Sequence, residues 1–282
     1  MPAIVLDGND LAARTRARLS EELRAAGSPP ICLATVLVGE DPPSQRYVRM
    51  KHRDAEEIGV RSAHTDLPAD ASQAQVEDVV AALAADPAVH GILVQLPLPA
   101  GLDPDPVINL IPPEKDVDGL TERNLGRLVR GVPGLVPCTP LGVMRLLEAY
   151  DVPVAGRRAV VIGRSNLVGL PAALLLARKG VDATVTVAHS RTPDLPGVVA
   201  EADIVVAAVG VAHIVTPAMV KPGAAVLDVG VSRTEAGLVG DVDPAVGEVA
   251  GWLTPMPGGT GPMTRACLME NTVTAARLQA VL

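Results

Sequence analysis

The chain has 282 residues, more than an average single domain and comfortable for two. Phe is absent and the aromatics amount to one Trp and two Tyr, so the core has to be aliphatic and rings to stack nucleic-acid bases are lacking. A net charge of −8 argues against a polyanionic partner and leaves room only for a local basic pocket around one phosphate.

Short apolar runs alternate with helical patterns. AIVL (3–6) predicts a strand, and NDLAARTRARLSEELRAAG a helix with Asn9 or Asp10 as cap and Gly27 as stop. ICLATVLVG (31–39) predicts a buried strand. In EDPPSQRYVRMKHRDAEEIG the prolines suit a first helical turn and Gly59 the end. VRSAHTDL, the helix ASQAQVEDVVAALAAD and the strand VHGILVQLPLP follow. This repetition predicts α/β architecture, with a parallel sheet covered on both faces.

GVPGLVPCTP (131–140) breaks the pattern and marks a boundary between a domain at 1–139 and one at 140–265. The helix LGVMRLLEAY then leads to strands at 158–163, 183–188, 203–209 and 224–230. The closing TRACLMENTVTAARLQAVL is amphipathic and helical, and periodicity leaves its docking partner open. No signal peptide is visible, and LVGLPAALLLA is about half the length that spans a bilayer. The expectation is a cytoplasmic protein with neither membrane nor nucleic acid as partner. Cys32, Cys138 and Cys267 lack ligand spacing, which predicts free buried thiols and no metal site.

AVVIGRSNLVGLPAALLLARKG reads as a strand, a tight glycine turn and a helix, which aims helix N-terminal amides at a phosphate. The spacing from Gly163 to Gly169 is not the G-x-G-x-x-G fingerprint. An NAD site wants an acid after the next strand, and the chain has HSRT (189–192) there. Ser190, Arg191 and Arg164 suit a 2′-phosphate, which favours NADP as cofactor; both arginines also fit solvated loops.

The first block carries the second signal. Lys51 is one of only four lysines against twenty arginines, and lysine, unlike arginine, can lose its proton when buried. Tyr47 lies four residues earlier on the same helical face, and Gln95 ends a strand. Asp116 and Asp118 sit in the loop PEKDVDGL. A phenol, an amine, an amide and a carboxylate at one sheet edge make a polar site. The same residues also fit a Lys51–Asp54 surface pair and two turn-capping acids.

VGEDPPSQRYVRMKHRDAEEIG, GILVQLPLP, PEKDVDGLTERNLGRL, PCTPLGV, VVIGRSNLVGLP and TPMPGGTGPMTRACLMENT, in this order, resemble the motifs of the bifunctional methylenetetrahydrofolate dehydrogenase/methenyltetrahydrofolate cyclohydrolase family. The resemblance implies two α/β domains flanking a cleft, the second a Rossmann-like parallel-sheet NADP-binding domain. It implies a last helix (266–282) that returns to the first domain, and a homodimer. Ser44, Tyr47, Gln95, Asp118, Pro257, Gly258 and Gly261 fall on the folate-substrate positions, and Gly163, Arg164, Ser165, Ser190 and Val231 on the NADP contacts. Lys51 falls on the position that, with Tyr47, Gln95 and Asp118, serves catalysis. Met256, Thr260 and Leu170 depart from the usual residues. The implied function is NADP-dependent oxidation of 5,10-methylenetetrahydrofolate followed by hydrolysis to 10-formyltetrahydrofolate. The competing readings are an NADP dehydrogenase of another small metabolite and a non-catalytic NADP-binding protein.

Overall fold

The computed structural model describes residues 2–235 and 237–282; Met1, the first residue of the predicted 1–139 block, and Ala236 lie outside the described residues. The elements run β1 (Ile4–Val5), α1 (Gly8–Ala25), β2 (Cys32–Val38), α2 (Pro42–Glu57), β3 (Arg61–Leu67), α3 (Gln73–Ala85), β4 (Gly91–Val94), α4 (Pro104–Asn109), α5 (Glu122–Arg130) and α6 (Cys138–Ala149). They continue with β5 (Arg158–Ile162), α7 (Gly169–Ala177), β6 (Thr184–Ala188), α8 (Leu195–Ala200), β7 (Ile204–Ala207), β8 (Ala225–Asp228), β9 (Ser232–Thr234), β10 (Gly237–Val239), β11 (Trp252–Leu253) and α9 (Thr260–Leu278). Two compact units result: Arg14–Cys138 with Arg265–Leu282, and Met1–Ala13 with Thr139–Thr264.

In the first unit β2 is central in a parallel sheet ordered β3-β2-β4. All seven of its residues are buried, as a continuous apolar run in a covered parallel sheet requires. Asp41 caps α2 by accepting from the Ser44 amide, and prolines occupy the first turn, where a missing N–H costs nothing. The stripe that α2 buries is unusual: Ser44, Val48, Lys51, Asp54 and Ala55. Helical spacing places them on the inward face, so a lysine and an aspartate go in with the apolar residues. Past β4, Ile92 N donates to Lys115 O at 2.8 Å and Ile92 bridges Asp116 in parallel. Residues 115–117 therefore run beside β4, and Asp118 lies level with its carboxyl end.

In the second unit a six-stranded sheet runs β1-β11-β8-β7-β5-β6, with every pairing parallel. Fully buried strands such as β7 and β8 form its centre, which the aliphatic composition predicts. The predicted strand at 3–6 is present, but it belongs here. Ile4 and Val5 pair with Trp252 and Leu253, which corrects the placement of residues 1–13 in the first block. A free edge beside β11 captured these residues across the length of the chain, a pairing that local pattern does not encode. Neither α5 nor the β9–β10 hairpin was expected; α5 is amphipathic but only nine residues long and carries Gly126, so it offers a short signal.

Candidate active site

The end of β4, the loop beside it and the helices α2 and α6 build the cluster of the first unit. Lys51 is only 6% exposed, and its Nζ donates to Gln95 Oε1 at 3.0 Å. Gln95 follows β4, and its own amide donates to Leu96 O at 2.7 Å, which orients the carbonyl oxygen toward the lysine. Nζ also lies 5.3 Å from the Tyr47 ring centroid, within reach of a cation–π contact. Burial pushes the Lys51 amine below its ordinary pKa; Asp118 and Cys138 oppose this, and the Arg265 guanidinium reinforces it. Burial raises Asp118 in turn, against the pull of Lys51. Desolvation thus outweighs the mutual attraction on both sides, and a neutral amine becomes accessible nearer to neutrality.

The two acids of D-V-D-G have separate fates. Asp116 is 1% exposed and accepts from Leu120 N, Thr121 N, Thr121 Oγ1 and Asn124 Nδ2 at 2.8–3.1 Å. It organises the turn into α5. Asp118 remains partly exposed and faces Lys51 and Cys138. Cys138, a free buried thiol as expected, also belongs to this cluster: burial raises it well above its usual pKa, and Sγ donates to Val117 O at 3.3 Å. The Lys51–Asp54 pair does not form the local contact that spacing allows. Asp54 instead takes Arg265 Nη1 at 2.6 Å, with Arg16 Nε at 3.9 Å. Ser44 is buried, and its hydroxyl donates to Asp41 Oδ2 at 2.7 Å, which leaves its oxygen lone pairs as acceptors.

The second unit holds the glycine turn. Gly163 has φ +121°, and a Cβ there would stand 2.4 Å from Ala208 O; one on Gly169 would stand 2.2 Å from Gly163 O. Only glycine lets the turn close. Ser165 Oγ accepts from Val168 N at 3.2 Å at the start of α7. Arg164, Ser165, Ser190 and Arg191 are all exposed, at the carboxyl ends of the neighbouring strands β5 and β6. No carboxylate stands among 189–192, where Arg191 N donates to His189 Nδ1 and His189 N to Thr192 Oγ1. The cradle therefore fits a dinucleotide whose ribose carries a phosphate.

The rim beyond β7 was not anticipated. Asp241, fully buried, accepts from the amides of Val209, Gly210 and Val211 at 2.7, 3.1 and 2.8 Å. Asp228 holds Asp241 N at 2.9 Å and Val242 N at 3.2 Å. Val231, 53% exposed, sits beside this loop, with Ser232 Oγ donating to Gly210 O at 3.0 Å. Gly230 and Gly240 were the available signal, since a Cβ on either would fall about 2 Å or less from an Asp241 or Asp228 oxygen. Pro257, after a cis peptide, and Gly258, at φ +115°, shape the turn into α9, whose second residue is Gly261. Thr260, one of the departures, donates to Asp228 O at 2.8 Å, so its hydroxyl is used.

Residues 6–118 match the profile of the tetrahydrofolate dehydrogenase/cyclohydrolase catalytic domain, and residues 137–280 match that of the family's NAD(P)-binding domain. The chain belongs to the tetrahydrofolate dehydrogenase/cyclohydrolase family. It is 54% identical to the bifunctional protein FolD 2 of Frankia alni, over 99% of this chain and 98% of that one. The crystal structure of the bifunctional enzyme FolD, a methylenetetrahydrofolate dehydrogenase/cyclohydrolase from Campylobacter jejuni, superimposes with a TM-score of 0.94 at 43% identity, covering 98% and 99% of the two chains. The Trypanosoma brucei family structure, complexed with NADP cofactor and an inhibitor, gives 0.93 at 39% identity over 99% of each chain. The family's second profile runs on to residue 280, whereas in the fold Arg265–Leu282 cluster with Arg14–Cys138. Among the described residues, no three His, Cys, Asp or Glu side chains gather as cation ligands, and no helix is long and apolar enough to cross a membrane.

Proposed function

We propose that this chain oxidises 5,10-methylenetetrahydrofolate to the 5,10-methenyl form with NADP and then hydrolyses that cation to 10-formyltetrahydrofolate. The observation that carries the reading is the buried Lys51 amine, hydrogen-bonded at 3.0 Å to a neutral amide beside a tyrosine ring and Asp118, in a chain of this family.

The oxidation removes a hydride from the carbon bridging two folate nitrogens, and NADP supplies the acceptor. Acid–base work is slight in this step, so the residues chiefly bind and orient. Gly163 and Ser165 shape the phosphate turn, Arg164, Ser190 and Arg191 receive the 2′-phosphate, and Val231 packs against the cofactor. Asp118 holds the pterin, Tyr47 packs on it, Ser44 offers an acceptor, and Pro257, Gly258 and Gly261 line the folate. In the hydrolysis, neutral Lys51 takes a proton from the attacking water and returns it to the ring nitrogen as the adduct opens. The net reaction releases one proton. Gln95 holds Lys51 in line. The same reading places a 1–139 folate domain before a 140–265 NADP domain, amended for the terminal segments, in a cytoplasmic homodimer.

Purified protein given methylenetetrahydrofolate and NADP should develop methenyl absorbance that decays to the formyl product. Reduction of cofactor without decay would mean a dehydrogenase alone, and no reduction with any folate would leave a different substrate or a non-catalytic binder.

A further inference from the structure

The C-terminal helix α9 touches the Lys51 cluster's supports at two points. Asn271, 5% exposed, donates from Nδ2 to Val117 O and Val136 O, both at 2.8 Å, and reaches Cys138 Sγ at 3.5 Å. Val117 precedes Asp118, and Val136 lies two residues before Cys138. Both loops are pressed together here: a Cβ on Gly119 would stand 2.5 Å from the Val136 carbonyl carbon. Six residues earlier on α9, Arg265 donates to Asp54 Oδ2 at 2.6 Å, and Asp54 lies on α2 one turn beyond Lys51. Arg265 and Asp54 are 8% and 0% exposed, so the pair is locked by packing as well as charge.

We propose that Asn271 and Arg265 are positioning residues for hydrolysis, a two-point brace through which α9 sets Asp118 and Cys138 against Lys51. The inference rests on the function proposed above. Neither side chain needs to touch substrate; one amide ties two loops and one guanidinium ties the lysine's helix. The titratable and charged groups facing Lys51 are Tyr47 on its own helix, Asp118 on the loop beside β4, Cys138 at the start of α6 and Arg265 on α9, with the neutral amide of Gln95 after β4. Loosening either tie lets water in, and losing Arg265 also removes a cation that lowers the Lys51 pKa, with Asp54 left to Arg16 at 3.9 Å. Both changes favour the ammonium form.

The experiment measures cyclohydrolase rates on methenyltetrahydrofolate directly, without NADP, across pH, for wild type, Asn271→Ala and Arg265→Met, with NADP affinity measured in parallel. The expected result is a fall in kcat of about tenfold or more in each variant, with the acid limb of the profile moved to higher pH by about half a unit or more and NADP affinity within about twofold. A merely structural role scales the rate through the active fraction and leaves the limb in place; an unshifted limb in either variant overturns the brace. Should Asn271→Ala not fold, Asn271→Ser, which keeps one donor, is read by the same criterion. Wild-type protein that turns over no methenyl substrate at any pH sinks the proposed function itself, a result distinct from a wild type that works and variants that keep its profile.

Discussion

At position 51 a buried amine has one neutral hydrogen-bond acceptor at 3.0 Å and an aromatic face at 5.3 Å, and desolvation dominates its titration. A guanidinium there could not shed its proton and would repel the methenyl cation. Lys51→Arg should therefore cut hydrolysis by about 10²-fold or more while the chain stays folded, as circular dichroism and a direct cyclohydrolase assay would show. Wild-type hydrolysis in that variant would remove the lysine from proton transfer. On the cofactor side, Arg164 and Arg191 are exposed beside a turn without a carboxylate. Arg164→Ala should raise the Kd for NADP about tenfold and that for NAD much less; equal losses would detach Arg164 from the 2′-phosphate. The composition of both corners was readable from spacing. What spacing could not supply was the partner of Asp54, which stands 211 positions away on α9, or the division of labour between Asp116 and Asp118.

Among the elements, the β5–α7 turn shows how little freedom the backbone has at the site. Gly163 combines a left-handed φ with a carbonyl 2.4 Å from where a Cβ would sit. Gly163→Ala should destabilise the protein by about 1–3 kcal/mol and weaken NADP binding about tenfold or more, because the turn must open to admit the methyl group. Calorimetric titration and thermal unfolding check both, and unchanged NADP affinity would place the cofactor elsewhere. The long periodic helices and apolar strands were recognisable because their burial pattern is local. The short α5 was not: what holds it is the Thr121 cap together with Asn124, whose amide reaches Pro113 O and the Asp116 carboxylate.

For the whole molecule, one buried carboxyl couples folding to pH. Burial raises Asp228 from 3.8 to about 6, overriding the two amides that hold its charged form. The folded state then binds more protons than the unfolded chain between these values. Its contribution to stability is greatest below pH 3.8 and is lost as pH rises to about 6, a change on the order of 3 kcal/mol. Denaturant titrations of wild type and Asp228→Asn should show a stability difference that shifts against wild type across this window; a difference independent of pH would refute the raised value. By itself the sequence determined a parallel α/β chain with an aliphatic core, a glycine phosphate turn without an acid, and a lysine on a helix's inward face, because periodicity, backbone sterics and residue chemistry act within a few positions. Periodicity left the docking of the last helix open and the motif resemblance implied its return to the first domain; only the tertiary structure decided that residues 1–13 join Thr139–Thr264 and that Asn271 and Arg265 stand behind the Lys51 cluster. Strand edges and buried donors take whichever partner closes the packing, however distant in the chain.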